Sequence, residues 1–271
     1  MLPPDFSFSQ QNLQDYLDCK RRFYLRYIEH LEWPAIESEP VLEQEKLMEL
    51  GHTFHVLVQQ SLSGIPAENI QATLHDEELE RWWGNFQALE LNLVDRIYYV
   101  EEMLSIPFSG FRLIAKVDLV IVQEDQSILI YDWKTSMRIP KRENLIRRAQ
   151  SKVYPLVVTL SSQTLTRSAP VDPDNIKMIY WFPENPLLPV EMEYSAAKFE
   201  KDEKELSNLI FEINSMDGRE EFVKTDNLRL CEYCSFRSFC GRGGSAGSSD
   251  EEVLTPSGSD ENPFEIDFES L

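Results

Sequence analysis

Leu13, Tyr16, Leu17, Phe23, Tyr24 and Ile28 recur at three- and four-residue intervals and predict a helix over 9–29 with one apolar side. Trp33 and Pro34 close that pattern. A second helix is expected over 41–62, and a less regular helical stretch follows around Leu79, Trp82, Trp83 and Phe86. From residue 95 the spacing changes to that of strands. The segment 96–107 is rich in Ile, Tyr and Val, and 111–122 and 127–134 follow it, with the polar turn QEDQS between the last two. A basic helical stretch leads through Gln150 and Tyr154, then come a strand over 177–182 and a long charged helix over 195–216. This order predicts an α/β chain: a mixed sheet flanked by helices, with a helical N-terminal elaboration.

The 271 residues are 42% hydrophobic and 11% aromatic, which supports a sizeable core and excludes wholesale disorder. The run GRGGSAGSSDEEVLTPSGSDENP has the composition of a disordered linker, so one folded domain is expected over 1–243 and an acidic tail over 244–271. No apolar run approaches the roughly 20 residues that span a bilayer. MLPPDFSFSQ lacks the basic and apolar parts of a secretory signal, and a cytoplasmic protein is expected.

A net charge of −21 argues against a nucleic-acid partner until its distribution is considered. Residues 245–271 hold eight acids and no base. Arg138, Lys141, Arg142, Arg147, Arg148 and Lys152 are interrupted by one acid, Glu143, and Lys20, Arg21, Arg22 and Arg26 form a second cluster. Such clusters can hold a phosphate backbone with strong salt dependence. The plainer alternative is a pair of solvated helix faces.

Candidate chemistry concentrates in FRLIAKVDLVIV and SILIYDWKTS. So short a turn predicts an antiparallel hairpin. With a loop over 124–126, Gln123 faces Ser127 and Asp118 faces Asp132, while alternation puts Lys134 on the face of Asp132 and Trp133 on the other. Two carboxylates and an ammonium then converge. Hard cations such as Mg²⁺ or Mn²⁺ take oxygen ligands, and the Trp133 carbonyl between the two acids could supply another. A lysine beside them can orient water or stabilise charge developing on a phosphate. The alternative is an ordinary cross-strand ion pair, although three charges inside an apolar hairpin are costly without a purpose.

These residues resemble the RecB-type branch of the PD-(D/E)xK nuclease superfamily, which includes CRISPR adaptation nucleases and AddB-type repair subunits. Asp118, Asp132 and Lys134 match its catalytic triplet. Gly51 and His55 match a helical Gly and His four residues apart, which implies His55 as a metal ligand, with His52 the lesser candidate. Gln150 and Tyr154 match a Gln–Tyr pair that would position DNA or water; from spacing alone they fit equally well a helix end capped before Pro155. The chain departs from the family at Ala115, where Gly is common. The resemblance implies a restriction-endonuclease-like fold and a metal-dependent deoxyribonuclease. Its substrate would be single-stranded DNA or DNA ends, and its setting DNA repair or CRISPR spacer acquisition. A competing class is a non-catalytic DNA-binding or scaffolding subunit with the same fold, which the intact Asp–Asp–Lys set disfavours.

Cys231, Cys234 and Cys240 form C-x₂-C-x₅-C, which in a cytosolic protein reads as a metal site, and Cys19 is the only other cysteine. In iron–sulfur members of the branch, one N-terminal and three C-terminal cysteines of this spacing bind a 4Fe–4S cluster, so the resemblance implies one here. Tetrahedral Zn²⁺ is the alternative. The tail ENPFEIDFESL alternates acids with Phe264, Ile266, Phe268 and Leu271. By default it keeps the protein soluble; it could also mimic DNA or dock on a protein partner.

Overall fold

Strand β3 (Phe111–Val122) organises the sheet, because it pairs along its whole length on one edge and twice on the other. The computed structural model describes residues 2–3, 5–31, 39–136, 138–232 and 234–242, with 39–45 as backbone only. The tail and Trp33–Pro34 therefore lie outside the described residues. Strand β2 (Ile97–Phe108) runs antiparallel to β3 through the two-residue turn Ser109–Gly110, both with positive φ. Two such residues give a turn whose twist matches the strands it joins. On the other edge, β1 (Ser7–Ser9) pairs parallel with Arg112–Ile114, and β4 (Ile128–Trp133) pairs antiparallel with Leu119–Val122. Strand β5 (Ile176–Trp181) then lies parallel to β4, and β6 (Val190–Glu193) closes the edge antiparallel to β5. The result is the expected mixed sheet, of six strands flanked by helices, consistent with a restriction-endonuclease-like fold.

Before the long strands come α1 (Gln10–Asp18), α2 (Lys20–Phe23), α3 (Glu39–Leu62), α4 (Ala67–Gln71) and α5 (Glu77–Gln87). After them come α6 (Arg142–Arg147), α7 (Gln150–Thr166), α8 (Ala196–Ser215) and α9 (Arg229–Glu232). Among the described residues no helix is long and apolar enough to cross a membrane. The chain divides into two compact units, one of Met1–Leu13 with Thr53–Gly218, the other of Gln14–His52 with Arg219–Leu271.

In the first unit, the aromatic residues of alternate strand positions make one side of the core. Trp133 and Trp181 face each other across β4 and β5 with ring centroids 5.7 Å apart, and Phe54 of α3 and Phe86 of α5 pack against Trp181. The opposite face carries Asp132 and Tyr180, and α7 covers it: Ser151 hydrogen-bonds the Tyr180 hydroxyl at 2.7 Å. Pro155 lies inside α7, so the helix continues through the proline rather than ending before it. This corrects the capped-end reading; the one backbone hydrogen bond lost is borne by a helix most of whose residues are buried.

The second unit corrects two further expectations. The helix over 9–29 is broken at Cys19, whose backbone is extended (φ −161, ψ 107) between α1 and α2, and Tyr24–Ile28 is π-helical. The apolar periodicity is real, but the thiol lines a cavity, and the chain turns there. The second basic cluster is no open phosphate surface either. Arg22 is buried and bonds Asp15 at 2.9 Å and Asp18 at 2.6 Å, Arg26 reaches Asp15 at 3.0 Å, and Arg21 donates to the Phe222 carbonyl at 2.7 Å. Phe222 stacks on Phe23 (centroids 6.1 Å apart), which ties the C-terminal segment to the N-terminal helices.

Candidate active site

The β3–β4 hairpin has the anticipated loop: Gln123 donates its backbone N–H to the Ser127 carbonyl at 2.8 Å, and Gln126 takes the left-handed conformation (φ 68) that closes a three-residue loop. Cα pairing runs from Val122↔Ile128 to Leu119↔Tyr131 and stops one step short of Asp118 and Asp132. There the backbone ladder gives way to a side chain. The Trp133 N–H donates to Asp118 Oδ2 at 2.7 Å, and the Lys134 N–H goes to the Trp181 carbonyl of β5 at 2.8 Å. A buried carboxylate thus stands where β4 parts from β3.

Two groups of charges form at that point. In the first, His55 Nδ1 lies 3.4 Å from Asp118 Oδ1 and 3.9 Å from an oxygen of Glu101. Potential ligand atoms of His55, Glu101 and Asp118 all fall within 4.8 Å of one another. His55 Nε2 lies 3.1 Å from the Trp133 carbonyl oxygen. If Nε2 carries the proton and donates it there, Nδ1 turns a lone pair toward the two carboxylates, an arrangement that favours a cation among them. Burial raises the Glu101 carboxyl, but hydrogen bonding with His55 and the ion pair to Lys116 at 2.8 Å outweigh it and hold it below the usual range. The donor set of two hard carboxylates and one imidazole fits Mg²⁺ or Mn²⁺.

In the second group, Asp132 is 2% exposed and is held from both sides. Gln150 Nε2 donates to Oδ1 at 2.5 Å, and Lys134 Nζ lies 2.8 Å from Oδ2. The Lys134 ammonium also stands 5.7 Å from the centroid of the Tyr180 ring. Burial first, and the Asp132 charge second, push the Tyr180 phenol far up, so it stays neutral. Lys134 is only partly covered.

The structure therefore brings His55, Asp118, Asp132, Trp133, Lys134 and Gln150 into one neighbourhood. Tyr154 is buried at 2% exposure, on the side of α7 that faces the core. His52 is exposed and lies outside the His55 group. Glu101 was not anticipated. A signal for it existed: Glu101 and Glu102 interrupt the apolar run of β2, and counting back from the Ser109–Gly110 turn puts Glu101 opposite Asp118. Of the first basic cluster, Arg138, Lys141, Arg142 and Arg147 are exposed, whereas Lys152 is paired with Glu205 at 2.7 Å.

The second unit has its own candidate site. Cys19, Cys231, Cys234 and Cys240 line one cavity together with Arg22, Lys224, Arg237 and Arg242. All four cysteines are free thiols, and burial pushes those of Cys231, Cys234 and Cys240 up. Four thiols beside cationic side chains are the donor chemistry of a group that binds thiolates and carries net negative charge, such as an iron–sulfur cluster.

The sequence profile of the PD-(D/E)XK nuclease superfamily matches residues 7–241. Among solved structures, SSO0001 is similar at 13% identity and a TM-score of 0.39, covering 87% of this chain and 86% of that one. An exonuclease candidate from Eubacterium rectale is similar at 10% identity and a TM-score of 0.45, covering 78% and 82%. No curated protein matches.

Proposed function

Because the chain belongs to the PD-(D/E)XK nuclease superfamily, we propose that it is a divalent-metal-dependent deoxyribonuclease of the RecB type, acting on single-stranded DNA or DNA ends. The observation that carries this reading is the meeting of His55, Asp118, Asp132 and Lys134 where β3 and β4 part. Superfamily members use divalent metals, and His55 and Asp118 would hold the cation here, with Asp132 and the Trp133 carbonyl at its border. The cation supplies charge neutralisation at the phosphate and lowers the cost of forming hydroxide near neutral pH.

The remaining work belongs to the chain. Asp132 fixes the Lys134 ammonium from below, with Gln150 holding the far oxygen of the carboxylate. Lys134 then offers its positive charge to a phosphate oxygen as negative charge builds there, an interaction stronger in the transition state than in the ground state. Trp133, locked in the aromatic core at 1% exposure, keeps its N–H on Asp118 and its carbonyl toward His55. Exposed Arg138, Lys141, Arg142 and Arg147 give the DNA backbone a salt-sensitive track.

In the same reading the four cysteines bind a 4Fe–4S cluster, which closes a domain over 1–243. The acidic tail 244–271 is left for a protein partner, and the setting is DNA repair or spacer acquisition in the cytoplasm. End-labelled single- and double-stranded DNA, incubated with anaerobically purified protein and Mn²⁺ or Mg²⁺, tests the activity. Cleavage by the wild type and none by a folded Lys134→Ala variant is expected. Equal cleavage by both would assign the activity elsewhere. No cleavage with DNA still bound would favour a non-catalytic DNA-binding subunit.

A further inference from the structure

Strand β2 contains one backbone anomaly. Val100 pairs with Leu119 and Glu102 with Val117, so the register is unbroken and no residue is inserted. Yet Glu101, between them, has φ 51, in the left-handed region that a non-glycine residue enters at a cost of about 1–3 kcal/mol. It is no turn residue, since the hairpin turns at Ser109–Gly110. The strain needs a compensating purpose.

The side chain supplies one. Continuing the register puts Glu101 across from Asp118, and one carboxylate oxygen points to His55 Nδ1 at 3.9 Å while the other is bound by Lys116 at 2.8 Å. Partly exposed ion pairs contribute about 1 kcal/mol at most, so the Lys116 contact alone does not offset the strain. A carboxylate oxygen, an imidazole nitrogen and the Asp118 oxygen on three different elements, all within 4.8 Å of one another, are placed to share one cation.

We propose that Glu101 is a further protein ligand of the divalent cation, aimed at His55 and Asp118 by its left-handed backbone and steadied by Lys116. This rests on the reading of His55 and Asp118 as a cation centre. Glu101 adds a third protein donor and a second full negative charge there, and so favours a hard divalent ion over a monovalent one.

Mn²⁺ binding to the full-length, cluster-loaded protein without DNA tests it, by calorimetry and by the electron paramagnetic resonance of bound Mn²⁺. Glu101→Gln should weaken Mn²⁺ at least about tenfold, the usual scale for losing support around a metal. Glu102→Gln, one residue along, should bind as the wild type does. Glu101→Gly keeps the left-handed conformation without strain and provides the same test should Glu101→Gln fold poorly. If His55→Ala abolishes binding while both Glu101 variants bind normally, the ligand role of Glu101 is overturned and the centre stands. If His55→Ala leaves Mn²⁺ binding unchanged, the centre itself is misplaced and the inference falls with it.

Discussion

Gln150 donates its side-chain amide to Asp132 at 2.5 Å, so the first residue of α7 restrains the carboxylate that holds Lys134. The family resemblance implied that Gln150 positions DNA or water; in this structure it is 6% exposed and positions an acid.

Replacing it should therefore act on both stability and rate. Gln150→Ala withdraws a donor from a buried, charged acceptor, which costs about 1–3 kcal/mol. Urea unfolding should show the loss, and single-turnover cleavage should slow without a matching change in DNA affinity. An unchanged unfolding midpoint would mean that the amide contact contributes nothing.

Glu101 allows a comparison that separates backbone from side chain. Glu101→Gly and Glu101→Ala both remove the carboxylate, but only alanine must still bear the left-handed conformation. The glycine variant should be the more stable of the two by about 1 kcal/mol, read from urea midpoints. The reverse order would show that the conformation carries no strain.

Phe54 precedes His55 on α3, is fully buried, and packs on Trp82 with centroids 5.9 Å apart and on Trp181 at 6.3 Å. It anchors the helix that presents the histidine. Phe54→Ala should cost about 3–5 kcal/mol in chemical unfolding and weaken Mn²⁺ binding. A loss of stability with normal Mn²⁺ binding would show that His55 is held independently.

Cys19 tests the second site. Anaerobically purified wild type should carry iron and acid-labile sulfide, and Cys19→Ser should lose both together with part of its thermal stability. Zinc without sulfide in the wild type would assign a structural zinc site instead.

Asp202 on α8 is 2% exposed, and burial raises its carboxyl against the pull of Lys198 and Lys152. A carboxyl raised by folding binds its proton to higher pH in the native than in the unfolded state. Stability is then lost as pH climbs from the ordinary carboxylate range through the raised value, by about 1.4 kcal/mol for each pH unit of displacement. Asp202→Asn should match the wild type in strong acid and exceed it at pH 7. Equal stability at both would show that Asp202 titrates normally.

Much of this protein follows from local pattern. The periodicities of 111–122, 127–134 and 195–216 determine β3, β4 and α8 almost to the residue, because a long apolar run or a capped amphipathic stretch needs no distant partner to declare itself. The polar loop over 124–126 determined the register from Val122↔Ile128 to Leu119↔Tyr131, the step next to Asp118 and Asp132. Strands β1 and β6, three and four residues long, carry too little pattern to stand out; they exist because an edge of β3 and an edge of β5 offer backbone partners.

The rest was decided in three dimensions. Cys19 sits in a sequence with sound helical periodicity, yet its backbone is extended where its thiol joins three others from the far end of the chain. Arg21 and Arg22 read as a basic surface, but buried acceptors drew them inward. Glu101 belonged to no motif in the sequence, and only the folded chain brings it, with a left-handed backbone, to 3.9 Å from His55. Sequence determines which residues can pair or pack with their neighbours, since those energies are local. Which charges are buried together, and which backbone must strain to bring them there, depends on contacts between segments far apart in the chain, and those exist only once the fold has formed.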